Sequence, residues 1–339
     1  MKNLQVFIIS LLLFISSIAL TSCEKEDVKV VIPKQDTTTT IFSCYLGPDY
    51  RNQVFVNLSD STQLSFPQMI WDLSFSCDSN TFDITLNGGN AALIANIGYG
   101  KFKSNIDISK LKWRWDEASG VSDSLALSGW YNKSTKMSRD SVYVIDRGSN
   151  NSPQDRYMQF KIIDVNTTEY TIAFTDIYAQ RPMGIDHIPR IQEKLNVYFN
   201  FDKGGAILDI EPDKNDWDFC FLRYRTVYYD LNPPFPYLVN GIHINTIKNE
   251  VAVDSTLNFY KIDLSTALSL NFKTQRDVMG FDWKVYDFNN QRYKARDFVN
   301  YIIKPKGNMP GNVWKMRFTD FYNNRGQKGF PVFEVKKLN

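Results

Sequence analysis

The chain has 339 residues, a net charge of +2 and 14% aromatic residues, among them 24 Phe and 18 Tyr. So balanced a charge excludes a broad electrostatic pull toward nucleic acid or acidic membrane surfaces. The aromatic-rich composition, with few long Leu/Ala-rich runs, favours strands over helices, and the length suffices for two ordinary domains.

Residues 1–22 read as a secretion signal. Lys2 gives a positive start, Val6 to Ala19 is largely apolar, and Leu20-Thr21-Ser22-Cys23 closes the segment. The apolar run is short for a membrane span and has processing-site residues behind it. Leu-Thr-Ser-Cys resembles the lipobox of bacterial lipoproteins, which makes Cys23 the expected lipidated N-terminus and membrane anchor. Residues 23–40 form the expected tether. Its polar run ends in Thr37-Thr38-Thr39-Thr40, and the 17 residues after Cys23 reach about 55 Å when extended. The acidic cluster Glu24-Lys25-Glu26-Asp27 resembles the export signals of surface lipoproteins in the Bacteroidetes; it is also an ordinary solvated linker.

Beyond residue 40 the apolar residues recur at period 2, the pattern of strands buried on one face. The expected strands are 54–58, 71–77, 141–146, 157–164 and 169–175, then 197–202, 217–224, 299–304, 313–319 and 331–336. Within 71–77, Trp71, Leu73, Phe75 and Cys77 should face one side, and Asp72, Ser74 and Ser76 the other. Asn166-Thr167-Thr168 and Asn323-Asn324-Arg325-Gly326 read as hairpin turns. Residues 108–115 fit either a strand or a short helix. Pro182, Gly184 and Pro189 mark 178–190 as a linker, and Pro233-Pro234-Phe235-Pro236 as a rigid insertion, since proline cannot join a central ladder.

Several phrases occur twice in the same order. Val54-Phe55-Val56-Asn57-Leu58 pairs with Val197-Tyr198-Phe199-Asn200-Phe201, and Trp71-Asp72-Leu73-Ser74-Phe75 with Trp217-Asp218-Phe219-Cys220-Phe221. Asn87-Gly88 pairs with Asn240-Gly241, Trp130 with Trp283, and residues 158–164 with 314–320. The separations grow only by small insertions, which predicts a tandem repeat: an all-β chain of two antiparallel domains, 41–177 and 191–339.

Catalytic and metal signatures are missing. There is no HExxH, CxxC, GxSxG, P-loop or GxGxxG. Asp72 and Asp218 follow the same Trp in each copy, which points to a repeated structural task such as bonding backbone N–H groups. Three cysteines follow Cys23; Cys44–Cys77 is the only pairing within one repeat, while Cys77 on an apolar strand face favours a buried free thiol. No enzyme is expected.

The Val-Phe-Val-Asn-Leu strand, the Trp-Asp-Leu-Ser-Phe strand, the Asn-Gly-Gly turn, the Gly129-Trp130-Tyr131 strand and the closing hairpin of residues 158–176 resemble the HmuY-like lipoproteins of the Bacteroidetes. The resemblance covers most of 41–177 and, less cleanly, 191–337. It implies an all-β fold, a lipid-anchored place on the outer membrane, at the cell surface or its periplasmic face, and heme capture for a TonB-dependent receptor. It also implies two axial side chains on the iron, His or Met. The candidate ligands here are His243, beside the second Asn-Gly; His187, in the linker; and Met137, in the polar run 134–140. The alternative is an adhesion lipoprotein that binds glycan or protein without heme.

Overall fold

The computed structural model describes residues 38–47, 49–149 and 151–339. The signal sequence, Cys23 and the tether up to residue 37 lie outside them. In chain order the strands are β1 (Thr39–Ser43), β2 (Asn52–Val56), β3 (Gln63–Pro67), β4 (Leu73–Ser76), β5 (Ile84–Leu86), β6 (Leu93–Tyr99), β7 (Tyr131–Asn132), β8 (Met137–Ser138), β9 (Ser141–Asp146), β10 (Tyr157–Val165), β11 (Glu169–Asp176) and β12 (Gly184–Pro189). Then follow β13 (Asn196–Asn200), β14 (Ala206–Leu208), β15 (Phe219–Tyr228), β16 (Phe235–Ile244), β17 (Asn249–Asp254), β18 (Lys284–Asp287), β19 (Arg292–Ala295), β20 (Asn300–Pro305), β21 (Trp314–Tyr322) and β22 (Lys328–Lys337). One short α-helix, α1 (Leu264–Leu268), occurs among the described residues. The fold is all-β and the ladders are antiparallel, as the alternating patterns require.

Two lobes result, each a five-stranded sheet packed on a four-stranded one. The first combines β12-β11-β10-β9-β6 with β14-β13-β4-β5; the second combines β1-β22-β21-β20-β17 with β16-β15-β2-β3. Leu73 and Phe75 of β4 and Val197 and Phe199 of β13 share one core with Phe160, Ile172 and Phe174. Val54 and Val56 of β2 and Phe219 and Phe221 of β15 share the other with Met316, Phe318 and Phe333.

The lobes do not divide the chain at 178–190. Residues 184–189 form β12, which pairs with β11 at the sheet edge. Of its side chains only Ile188 is fully buried, so the segment carries little strand signature. The first lobe runs continuously from about Leu73 to Leu208, and the second is assembled from β1–β3 and β15–β22 around it. Each Trp-Asp strand therefore pairs with the partner phrase from the other half. Val197, Tyr198 and Phe199 lie opposite Phe75, Ser74 and Leu73, while Val54, Val56 and Phe55 lie opposite Phe221, Phe219 and Cys220. The two registers are equivalent position by position. A β-bulge also falls at Ile162/Asp164 in one lobe and at Phe318/Asp320 in the other.

Asp72 and Asp218 hold these joints. Asp72 Oδ2 accepts from Phe201 N at 2.9 Å, and Asp218 Oδ2 accepts from Leu58 N at 2.7 Å. Burial pushes the Asp72 carboxyl up, against the pull of the Arg147 guanidinium. Arg147, with a side chain 2% exposed, donates Nε to Asp72 Oδ1 at 2.9 Å and pairs through Nη2 with Asp202 at 2.7 Å. Asp218 is met instead by Lys248 at 2.9 Å.

Three expectations change. Trp71 and Trp217 leave the core face, because each precedes its strand; they pack edge-on against Tyr198 and Phe55, both at 5.0 Å. Asn240-Gly241 is no turn but part of β16. The residue that matches Asn87 is Asn245: their side-chain amides donate to Trp71 O at 2.8 Å and Trp217 O at 3.1 Å. Pro236 joins the β15–β16 ladder opposite Val227, tolerated because β16 is an edge strand. Residues 108–110 form a 3₁₀ turn.

Replacing Arg147 by Ala leaves the Asp72 carboxylate buried without its cation, which costs about 3–5 kcal/mol. Urea unfolding of Arg147→Ala is expected to show that loss; a midpoint equal to wild type would mean the pair contributes nothing.

Candidate functional site

The outer faces of the two four-stranded sheets look at each other across a cavity of about 520 Å³. Ser74, Ser76 and Tyr198 line it from the first lobe, and Phe55, Cys220 and His243 from the second. The lobes are clamped beside it. The Gln68 side chain bonds both backbone groups of Arg223, accepting from its N–H at 2.7 Å and donating to its carbonyl. Gly89 is needed there: a Cβ would lie 2.8 Å from Arg223 O. Arg276 of the second lobe donates from Nε to Ala118 O at 2.9 Å and from Nη2 to Glu117 O at 3.1 Å.

The cavity lining is mixed, with Phe55, Trp71, Trp217 and Leu222 beside polar groups, and its buried carboxylates are hydrogen-bonded. Glu211 accepts from Leu195 N and Asn196 N, each at 2.9 Å, and from Tyr198 Oη at 2.8 Å. Burial pushes its carboxyl up, and these bonds oppose that rise. Asp116 accepts from Leu86 N at 2.7 Å and Ala126 N at 2.8 Å, and burial raises it too. Three ring nitrogens on the lining are shielded and lack a protein partner: Trp71 Nε1, Trp217 Nε1 and His243 Nε2. Unpaired buried polar atoms are costly, so a site that keeps three is built to be met by a ligand or water.

His243 sits on β16, directly opposite Cys220 of β15, with its ring 4.5 Å from that of Tyr224. Burial, and then the Arg276 charge, push its pKa well below the usual value, so the imidazole is neutral. Burial, and then Glu211, push the Cys220 thiol well up. A protonated thiol beside a neutral imidazole is not an activated nucleophile. Cys44, Cys77 and Cys220 are free thiols, and Cys44 and Cys77 belong to different lobes. Among the described residues no group of three His, Cys, Asp or Glu side chains is placed to hold a metal.

The other expected ligands lie elsewhere. His187 is exposed on edge strand β12, its Nδ1 2.9 Å from Glu169 Oε1. Met137 is 63% exposed on β8. Neither lines the cavity, nor does any other methionine among the described residues; Met158 and Met279 are buried in the two cores. Two axial side chains for heme iron are thus not assembled, whereas one imidazole with a free Nε2 is. Glu211, Asp116 and Arg276 had no sequence signal, each lying among other charged residues with no motif to single it out.

No family model matches the sequence, and no curated protein is similar to it. Among solved structures, the chain is similar to apo PinO from Porphyromonas gingivitis, at 11% identity and a TM-score of 0.33, over 89% of this chain and 98% of the other. It is also similar to the apo HmuY analog of Tannerella forsythia, at 10% identity and a TM-score of 0.23, over 89% and 97%. Likeness at that level carries no argument about ligand or partner.

A depressed histidine pKa has a definite pH signature. The unfolded chain takes up a proton near pH 6.5 that native His243 refuses, so stability falls as pH drops below about 6.5. Thermal unfolding between pH 7.5 and 5 should show a smaller decline in His243→Phe than in wild type. Equal declines would remove His243 as the source.

Proposed function

We propose that the chain is a non-catalytic, lipid-anchored binding protein of the cell envelope, whose ligand occupies the cavity between the lobes. The observation that carries this reading is the trio of shielded, unpartnered ring nitrogens that line the cavity, Trp71 Nε1 beside the first lobe and Trp217 Nε1 and His243 Nε2 on the second. Among the described residues no helix is long and apolar enough to cross a membrane; attachment rests on Cys23 and its lipobox-like context. We also read the chain as a diverged tandem repeat, supported by the matching strand orders, bulges and aspartate bonds of the lobes.

Heme is the ligand that the HmuY-like resemblance suggests, with a TonB-dependent receptor as the recipient. Bound heme would supply an iron that accepts a neutral imidazole nitrogen, and His243 is the residue to provide it. The role of this chain is then to hold, through one side chain, a cofactor that the resemblance has held by two. The alternative, an adhesion lipoprotein, is favoured by a different region, the aromatic hairpin of the second lobe.

Absorption titration with hemin separates the readings. The wild-type protein should give a Soret shift that His243→Ala abolishes and that His187→Ala and Met137→Ala leave in place. Absence of any shift, with iron oxidised or reduced, would discard heme; a shift retained in His243→Ala would move the site out of this cavity.

A further inference from the structure

The second lobe carries elements that the first does not match. Strands β15 and β16 have ten residues each, where β4 and β5 have four and three. The extra length projects as a hairpin, and with β18–β19 it walls a separate cleft of about 580 Å³. Tyr228 and Tyr237 stand on one side, their rings 5.9 Å apart, and Tyr286 and Tyr293 on the other, 5.2 Å apart. Tyr237 is 51% exposed, so part of its ring surface is open to solvent.

Between these walls lies Asn240, 7% exposed, whose Oδ1 and Nδ2 are both shielded and unpartnered. A buried amide with donor and acceptor both free calls for a group that both donates and accepts. A hydroxyl does so. The rim carries more cations than anions: Arg223, Arg296 and Lys328 face Asp49 and Asp282, while burial pushes the Lys284 ammonium pKa down to about 7 and leaves it out of that count. Among the described residues Arg223, Arg296 and Lys328 take part in no ion pair, while Asp49 is already met by Arg51 at 3.4 Å. Lys284 Nζ donates to Asn240 O at 2.7 Å and lies 4.2 Å from the Trp283 ring centroid.

We infer that this cleft binds an acidic saccharide: its sugar faces stack on the tyrosine rings, a ring hydroxyl exchanges hydrogen bonds with the Asn240 amide, and its carboxylate or sulfate groups meet the unpaired cations. Sugar rings present apolar C–H faces and polar edges, which match rings flanking an amide better than an extended peptide would. Charge complementarity selects an anionic ligand over a neutral one. The inference develops the adhesion reading and does not involve the cavity of His243.

The test is calorimetric titration of the full chain with a galacturonate hexamer, a sulfated galactan hexamer and neutral maltohexaose. At least one acidic probe should bind, more weakly as salt is raised, and maltohexaose should not; which acidic probe binds identifies carboxylate or sulfate as the anion. Tyr237→Ala and Lys328→Gln, both exposed positions that the fold tolerates, should each weaken that binding roughly tenfold. No heat with either acidic probe at millimolar concentration overturns the inference. So does equal binding of maltohexaose, or affinity unchanged in both variants. Hemin titration reports on the other cavity, so the two readings fail separately.

Discussion

Asp72 and Asp218 each bond the backbone N–H at the end of a strand that the other half of the chain provides. That constraint organises the molecule. A four-stranded sheet in either lobe is complete only when a phrase from near residue 55 or near residue 198 crosses over, and each crossing strand brings core side chains with it. Val197 and Phe199 fill the first core; Val54 and Val56 fill the second. Burying a carboxylate at each joint is costly unless it is paired and hydrogen-bonded. Both aspartates meet that condition, one through Arg147 and one through Lys248.

Crossing over also decides where function can reside. Because β4 and β15 lie in different lobes with their outer faces opposed, Ser74 and Ser76 of β4 and Cys220, Leu222 and Tyr224 of β15 line a shared cavity instead of open solvent. The Trp of each phrase packs at its wall, as does His243. The lobes are alike in strand order but unlike in loops, and the divergence is concentrated in the second. Its long hairpin adds exposed aromatic surface and a cationic cleft that the cores do not require.

Much of this was legible in the sequence. All ten expected strands form, including β4 and β9, which are buried on both faces, and the structural task assigned to Asp72 and Asp218 is the one they perform. The misreadings have local causes. Strand β12 lies at a sheet edge with Ile185 half exposed and Pro189 at its end, so no apolar alternation betrays it. Pro236 counted against a strand, yet an edge position spares it the missing N–H. Asn245 carries no sequence mark as the partner of Asn87, since no glycine follows it, whereas Asn240-Gly241 imitates a turn inside β16. The cavity itself was illegible: Glu211, Asp116 and Arg276 converge from segments far apart, and spacing carries no trace of such convergence.

The central claim is that the first lobe is a continuous unit closed by β12–β14, with β1–β3 belonging to the other lobe. Two fragments decide it by cooperative thermal unfolding in near-ultraviolet circular dichroism. Residues 68–211 should give a folded, cooperatively melting unit. Residues 41–177, which carry β2, β3 and part of β1 but lack β12–β14, should not. A cooperative transition in 41–177 with none in 68–211 would contradict the account.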